Sequence, residues 1–258
     1  MANYHFGIDN VSRGKGHSLA CRLNYVSGER IRDLYLDTPH YRHRSDVLYC
    51  EVFLPVGAPQ ELRSMQILCN RLDAAEARYD ARTAREFKCS LPNELSAEDL
   101  VRITKDFVTE NFTDKGLCAV VAIHDKRNPT DPSKNNPHAH IVVATRFLDG
   151  DGLSRKKDRE HNKRSYVNAW RAGWARVVNL GYERAGLKER VSPDSYEVQG
   201  IYDKEPTNHL SLVDYQKECR GERTERGDEK RAIQERNGER QRQRSLGYER
   251  GLDIEPAR

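Results

Sequence analysis

No apolar run in this 258-residue sequence approaches the ~20 residues that span a bilayer, so a membrane-spanning helix is not expected. No secretory leader is apparent, because Met1 runs straight into the strand-like "NYHFGI". The six cysteines (Cys21, Cys50, Cys69, Cys89, Cys118 and Cys219) form no C-x-x-C pair and no short-spaced framework. That excludes a disulfide scaffold and a thiolate zinc ribbon, and fits buried thiols in a reducing cytoplasm. Apolar residues are also scarce, 36% against 33% charged, which implies that part of the chain is solvated rather than core.

Charge is present but uneven. The net value is +4, yet residues 151–190 hold 11 Lys/Arg against 5 Asp/Glu, while residues 211–258 balance at 12 against 11. A local basic excess suits a polyanion such as nucleic acid, although on composition alone a solvated helix face is the favoured reading. The run "SRKKDREHNKR" (Ser154–Arg164) is its densest part.

Periodicity alternates between two and 3.6 along the first 200 residues. "YHFGI", "DVLYCEVFLP", "AREFKCSLP", "CAVVAIH" and "HAHIVVATR" read as strands. Helical spacing appears after Ser18, from about Gln60 to Arg82, after a capping box at Ser96 and Asp99, and through "SYVNAWRAGWARVVNL". Trp170 and Trp174 in that last segment read as core residues rather than base-stacking platforms. Short strands interleaved with helices predict an α+β fold: a mainly antiparallel central sheet, with helices packed on one face and the active site on the other. From Val213 apolar anchors nearly vanish, so the expected division is a domain over 1–212 and a charged tail over 213–258, helical or disordered.

The chemistry gathers around "NNPHAHIVVATR" (Asn135–Arg146). Alternation along a strand puts His138 and His140 on one face, with Ala139, Ile141 and Val143 on the other. His124 closes the preceding strand. If the two strands pair, three imidazoles converge on one face, a set that holds a divalent metal and leaves positions for substrate. An H-x-H pair alone is more often structural than ligating, and the third histidine is what raises its weight. Glu86, on the polar face of "AREFKCS", is the expected partner for the other nitrogen of a metal histidine.

"PHAHIVVATR" preceded by an isolated strand-end histidine resembles the signature of HUH nucleases. "YHFGIDNVSRGKGHSLACRLNYVSGERIRD" resembles the opening motif of MobA/MobL-type plasmid mobilisation relaxases, with Val26 where an arginine usually follows the tyrosine. "SDVLYCEVFLPVGAP", "DARTAREFKCSLPNEL", "VAIHD" and "SYEVQGIYDKEPTNHL" are similar to further blocks of that family, whereas "ERVSPDSY" departs from its pattern. The resemblance covers roughly residues 1–212. It implies an HUH relaxase-like fold in the bacterial cytoplasm and a catalytic Tyr25, which by spacing alone reads as a helix-face tyrosine packed on the sheet. It also implies an acidic Glu86 that either orients a metal histidine or assists the phenol.

The implied activity is nicking of one plasmid DNA strand at the origin of transfer through a 5′-phosphotyrosyl intermediate, later reversed. The implied cofactor is a divalent metal on His124, His138 and His140, Mn or Mg in function, with Zn, Ni or Co as further fits. The implied partners are single-stranded transfer-origin DNA and other relaxosome or secretion-system proteins. His5, Arg13, Lys15, Lys156 and Lys157 are the candidate DNA contacts. Three other readings remain open: a rolling-circle replication initiator, a non-catalytic DNA-binding module, and a zinc hydrolase using activated water.

Overall fold

The computed structural model describes residues 4–33, 43–126, 135–150, 152–208 and 210–249. Most of the Pro/Asn-rich connection after His124 and the last nine residues of the tail lie outside them. The chain divides into two compact units, Met1–Pro193 and Asp194–Arg258, and the expected edge at 212 falls within the second.

Among the described residues six strands build the first unit: β1 (Phe6–Ser12), β2 (Val47–Phe53), β3 (Arg82–Ser90), β4 (Leu117–His124), β5 (His138–Asp149) and β6 (Gly152–Lys157). Their order is β1-β3-β5-β4-β2, with β6 also paired to β5, and every pairing is antiparallel. The fold is therefore α+β around an antiparallel sheet. β5 is central and apolar on both faces, as a doubly covered strand must be.

Helices α1 (Leu19–Ser27), α2 (Met65–Ala74), α3 (Ala97–Asn111) and α4 (Arg164–Arg184) complete the unit. Ser18, Ser64 and Ser96 start the first three by accepting an orphan backbone N–H with their side chains. The face bearing Phe87, Val121, Ile141 and Val143 packs on α3 and α4. There Phe87 meets Trp170 edge-on at 5.0 Å and Phe107 meets Trp174 at 5.2 Å, so both tryptophans are core residues. Gly181 lets α4 approach α3, since a Cβ there would lie 2.9 Å from Ile103 Cγ2.

The helices are not confined to that face. On the other, Leu19, Leu23 and Val26 of α1 and Leu68 and Leu72 of α2 cover Ala84, Val120, Ala122, Val142 and Ala144. Small side chains on three neighbouring strands make room for that second layer. The helix expected from Gln60 to Arg82 is shorter too. A 3-10 turn spans Gln60–Arg63, and α2 stops at Ala74. Two guanidinium groups terminate it: Arg13 donates to the carbonyls of Asp73 and Glu76 (2.8 Å each), and Arg146 to that of Ala75 (3.0 Å).

The second unit holds α5 (Leu212–Cys219) and α6 (Glu225–Glu249). α6 carries Arg and Glu around most of its circumference and is laced by exposed pairs such as Arg231–Asp228. Among the described residues no helix is long and apolar enough to cross a membrane.

Candidate active site

β4 and β5 pair with His124 directly opposite His138. Register and alternation together put His124, His138 and His140 on one face, where their ring centroids lie 4.6–5.3 Å apart. One nitrogen from each falls within 4.8 Å of the other two.

The remaining nitrogens are held by the protein. His124 Nε2 lies 2.7 Å from the Val26 carbonyl, His138 Nδ1 2.8 Å from the Asn136 carbonyl, and His140 Nδ1 2.8 Å from Glu86 Oε1. All three acceptors are oxygens, so each of these nitrogens carries the proton. The opposite nitrogens present lone pairs. Two of them, His124 Nδ1 and His140 Nε2, are buried with no hydrogen-bond partner among the described residues. Burial lowers the imidazole of His124 to about 4 and that of His138 below its usual range. Three rings that each turn a lone pair inward fit a divalent cation.

Glu86 is fully buried on β3. Its second oxygen faces Arg22 Nη1 at 3.3 Å and Lys88 Nζ at 3.9 Å. Burial pushes this carboxyl up, but the His140 hydrogen bond and the two cations outweigh it and hold Glu86 below the ordinary range. It is a carboxylate bonded to a histidine, with no hydrogen bond to Tyr25.

Tyr25 occupies the last turn of α1, and Gly28 ends the helix in the left-handed region (φ 71°). Its ring lies edge-on to His124 at 6.1 Å and to His140 at 5.7 Å, yet 44% of the residue is exposed. A phenol over a histidine triad and open to solvent can be reached by a large substrate.

The candidate DNA contacts divide. His5 shares the histidine face: its Nε2 lies 3.1 Å from where a Cβ on Gly7 would stand, and its backbone pairs with Ser90, itself opposite His138. Lys15 is exposed after β1. Lys156 is exposed and lines an open cleft of about 850 Å³ with Arg82, Arg155 and Arg159. Arg13 and Lys157 are engaged by other groups of the protein. Arg13 caps α2 and pairs with Asp73, and Lys157 bonds Glu76 Oε2 (2.8 Å) and the Arg82 carbonyl (2.7 Å). Part of the basic run is interior as well: Asp158 and His161 are buried, joined at 2.8 Å, with Arg85 bonded to Asp158 at 3.1 Å. Sequence reading missed Arg22 and Arg44, which stand 5.6 Å and 4.4 Å from the centre of the Tyr25 ring; the R-x-D spacing of Arg44 and Asp46 is the one local signal for the second.

The site thus joins an antiparallel sheet with H-x-H on one strand, a third histidine opposite and a tyrosine on a neighbouring helix. The chain belongs to the MobA/MobL family, whose profile matches residues 17–220. It is 36% identical over 150 residues to the probable mobilization protein MobA of Bifidobacterium longum, covering 58% of this chain and 26% of that protein. It is 30% identical over 243 residues to the conjugal transfer protein TraA of Agrobacterium fabrum, covering 82% and 21%. The chain thus spans about a quarter of the length of these relatives. The solved structure described as "Molecular Basis of Vancomycin Resistance Transfer in Staphylococcus aureus" superposes with a TM-score of 0.67 at 28% identity, covering 76% of this chain and 100% of that one.

Proposed function

We propose that this chain is the nicking and strand-transfer module of a mobilisation relaxase, acting on single-stranded DNA from a plasmid origin of transfer. The observation that carries the reading is the pair of buried, unpartnered imidazole nitrogens of His124 and His140 beneath the exposed Tyr25. Unsatisfied buried nitrogens of this kind are costly unless a ligand completes them.

Tyr25 Oη attacks the scissile phosphorus; the P–O3′ bond breaks, and its electron pair leaves on O3′. The phenol loses its proton and O3′ gains one, so one phosphodiester replaces another and no external reactant is consumed. Because the bond energy is conserved, the O3′ of a returning strand can reverse the step. A divalent cation held by His124, His138 and His140 would bind non-bridging phosphate oxygens and offset the charge that builds there. Glu86 fixes the His140 ring and its protonated nitrogen, an orienting role rather than a base for the phenol. His5, Lys15 and Lys156 supply positive or hydrogen-bonding contacts to flanking phosphates, giving affinity that falls with salt.

The test incubates the chain and Mn²⁺ with labelled single strands tiling the DNA around its coding sequence, followed by denaturing electrophoresis. A covalent protein–DNA band is expected, lost in Tyr25→Phe and on chelation. Metal-dependent cleavage with no such band would make the protein a water-using hydrolase. Binding that survives Tyr25→Phe, with no cleavage by the unsubstituted chain on any strand, would make it a DNA-binding module.

A further inference from the structure

Tyr25 poses a positioning problem. An exposed tyrosine at a helix end has free rotamers, whereas in-line attack needs its oxygen held within a few tenths of an ångström. Two guanidinium groups flank the ring, Arg22 at 5.6 Å and Arg44 at 4.4 Å from its centroid. They are not equivalent. Arg22 is one turn back on the same helix and is engaged by Glu86.

Arg44 arrives from the segment leading into β2. Asp46 grips one edge of its fork, Nε to Oδ1 at 2.8 Å and Nη2 to Oδ2 at 2.6 Å, and the two side chains are 17% and 19% exposed. The guanidinium carbon lies over the phenol ring, 4.4 Å from its centroid. The main chain is fixed as well. A Cβ on Gly28 would lie 3.4 Å from Arg44 Cβ and 3.6 Å from its carbonyl oxygen, so the end of α1 seats directly on Arg44. The Asp46 carbonyl in turn accepts the N–H of Asp125, the residue after His124. The cation touching Tyr25 is therefore tied to the strand that carries a triad histidine.

We propose that Arg44, pinned by Asp46, is the positioning residue for Tyr25, holding the phenol across from the histidine triad with a fixed positive charge over its ring. This rests on Tyr25 as the nucleophile. The oxygen that attacks in cleavage departs in rejoining, so Arg44 serves both directions. A planar fork clamped on one edge does this better than a mobile ammonium.

The experiment measures single-turnover adduct formation by the full chain with Mn²⁺ at saturating labelled single strand, and strand affinity separately in a Tyr25→Phe background. Arg44→Ala is expected to slow the reaction about 100-fold while changing affinity less than about threefold. Arg44→Lys should recover part of the rate, and Asp46→Asn should slow it with Arg44 intact. A rate for Arg44→Ala within about threefold of the unsubstituted chain overturns the proposal. So does an affinity loss matching the rate loss, which would make Arg44 a DNA clamp. If Arg44→Ala does not fold, as judged by thermal melting, Arg44→Lys and Asp46→Asn decide by the same criteria. Absence of any adduct from the unsubstituted chain would instead sink the relaxase reading itself.

Discussion

Glu86 Oε1 lies 2.8 Å from His140 Nδ1, and that contact decides which nitrogen of the ring faces the centre of the triad. A carboxylate buried at this point orients the imidazole and raises its basicity as a ligand. Glu86→Ala is expected to weaken divalent-metal affinity about 10- to 100-fold, and Glu86→Gln less, because the amide oxygen still accepts the N–H. Titration calorimetry with Mn²⁺ on the DNA-free chain measures this without reference to catalysis. Equal affinity in all three proteins would leave Glu86 with no part in orienting the triad.

Metal should also stabilise the fold. A cation that binds only the native arrangement adds about 2.7 kcal/mol at roughly a hundredfold excess over its Kd. The melting temperature of the unsubstituted chain should therefore climb as Mn²⁺ or Zn²⁺ is raised. His124→Ala and His140→Ala should abolish the climb, since each removes a buried nitrogen that has no other partner. His17→Ala, a histidine outside the triad, should leave it unchanged.

Much of this centre is legible in the residues. A two-residue strand period places His138 and His140 together, and strand pairing brings His124 opposite. Arg44 was hidden because it lies in a segment without periodicity, just before the strand-like run that Asp46 opens, where only the fold shows what each side chain reaches. The end of α2 was hidden for a different reason. Its apolar spacing runs on through Ala75, and the stop comes from Arg13 and Arg146, which are distant in the sequence and adjacent in the fold. The second helix layer was obscured because Ala84, Ala122 and Ala144, whose smallness seats α1 and α2, come together only once the strands are paired.

Arg13 and Lys156 looked alike in sequence and should now behave differently. Arg13 is 17% exposed and spends its guanidinium on Asp73 and the end of α2. Arg13→Met should cost about 2 kcal/mol of stability, read from urea unfolding, because buried carbonyls and a carboxylate lose their donors. Its effect on the salt dependence of DNA binding should be nil. Lys156→Gln combined with Arg155→Gln should leave stability within about 0.5 kcal/mol. The same pair should flatten the log–log salt slope for single strands by about 0.7 for each phosphate that is no longer neutralised. Exchange of these two outcomes would refute the assignment.

His161 offers a pH test away from the metal centre. Burial lowers its imidazole below the usual range, although Asp158 at 2.8 Å draws it back up. The ring is stacked on Trp170 with an interplanar angle of 13°, and its Nε2 is buried without a partner among the described residues, so a second proton there has nothing to bond. Unfolded, the same histidine takes up that proton near pH ~6.5. Between that pH and the lower folded value the unfolded chain binds more protons. Stability is then full above about pH 6.5 and declines as pH falls through the interval. His124 and His138 are lowered by burial too and add to the same decline. His161→Gln keeps a donor for Asp158 but cannot titrate, and it should remove a share of the decline. Urea midpoints at two pH values on either side of the interval measure it for both proteins. A decline of equal size in each would mean that His161 takes up its proton as readily in the folded chain as in the unfolded one.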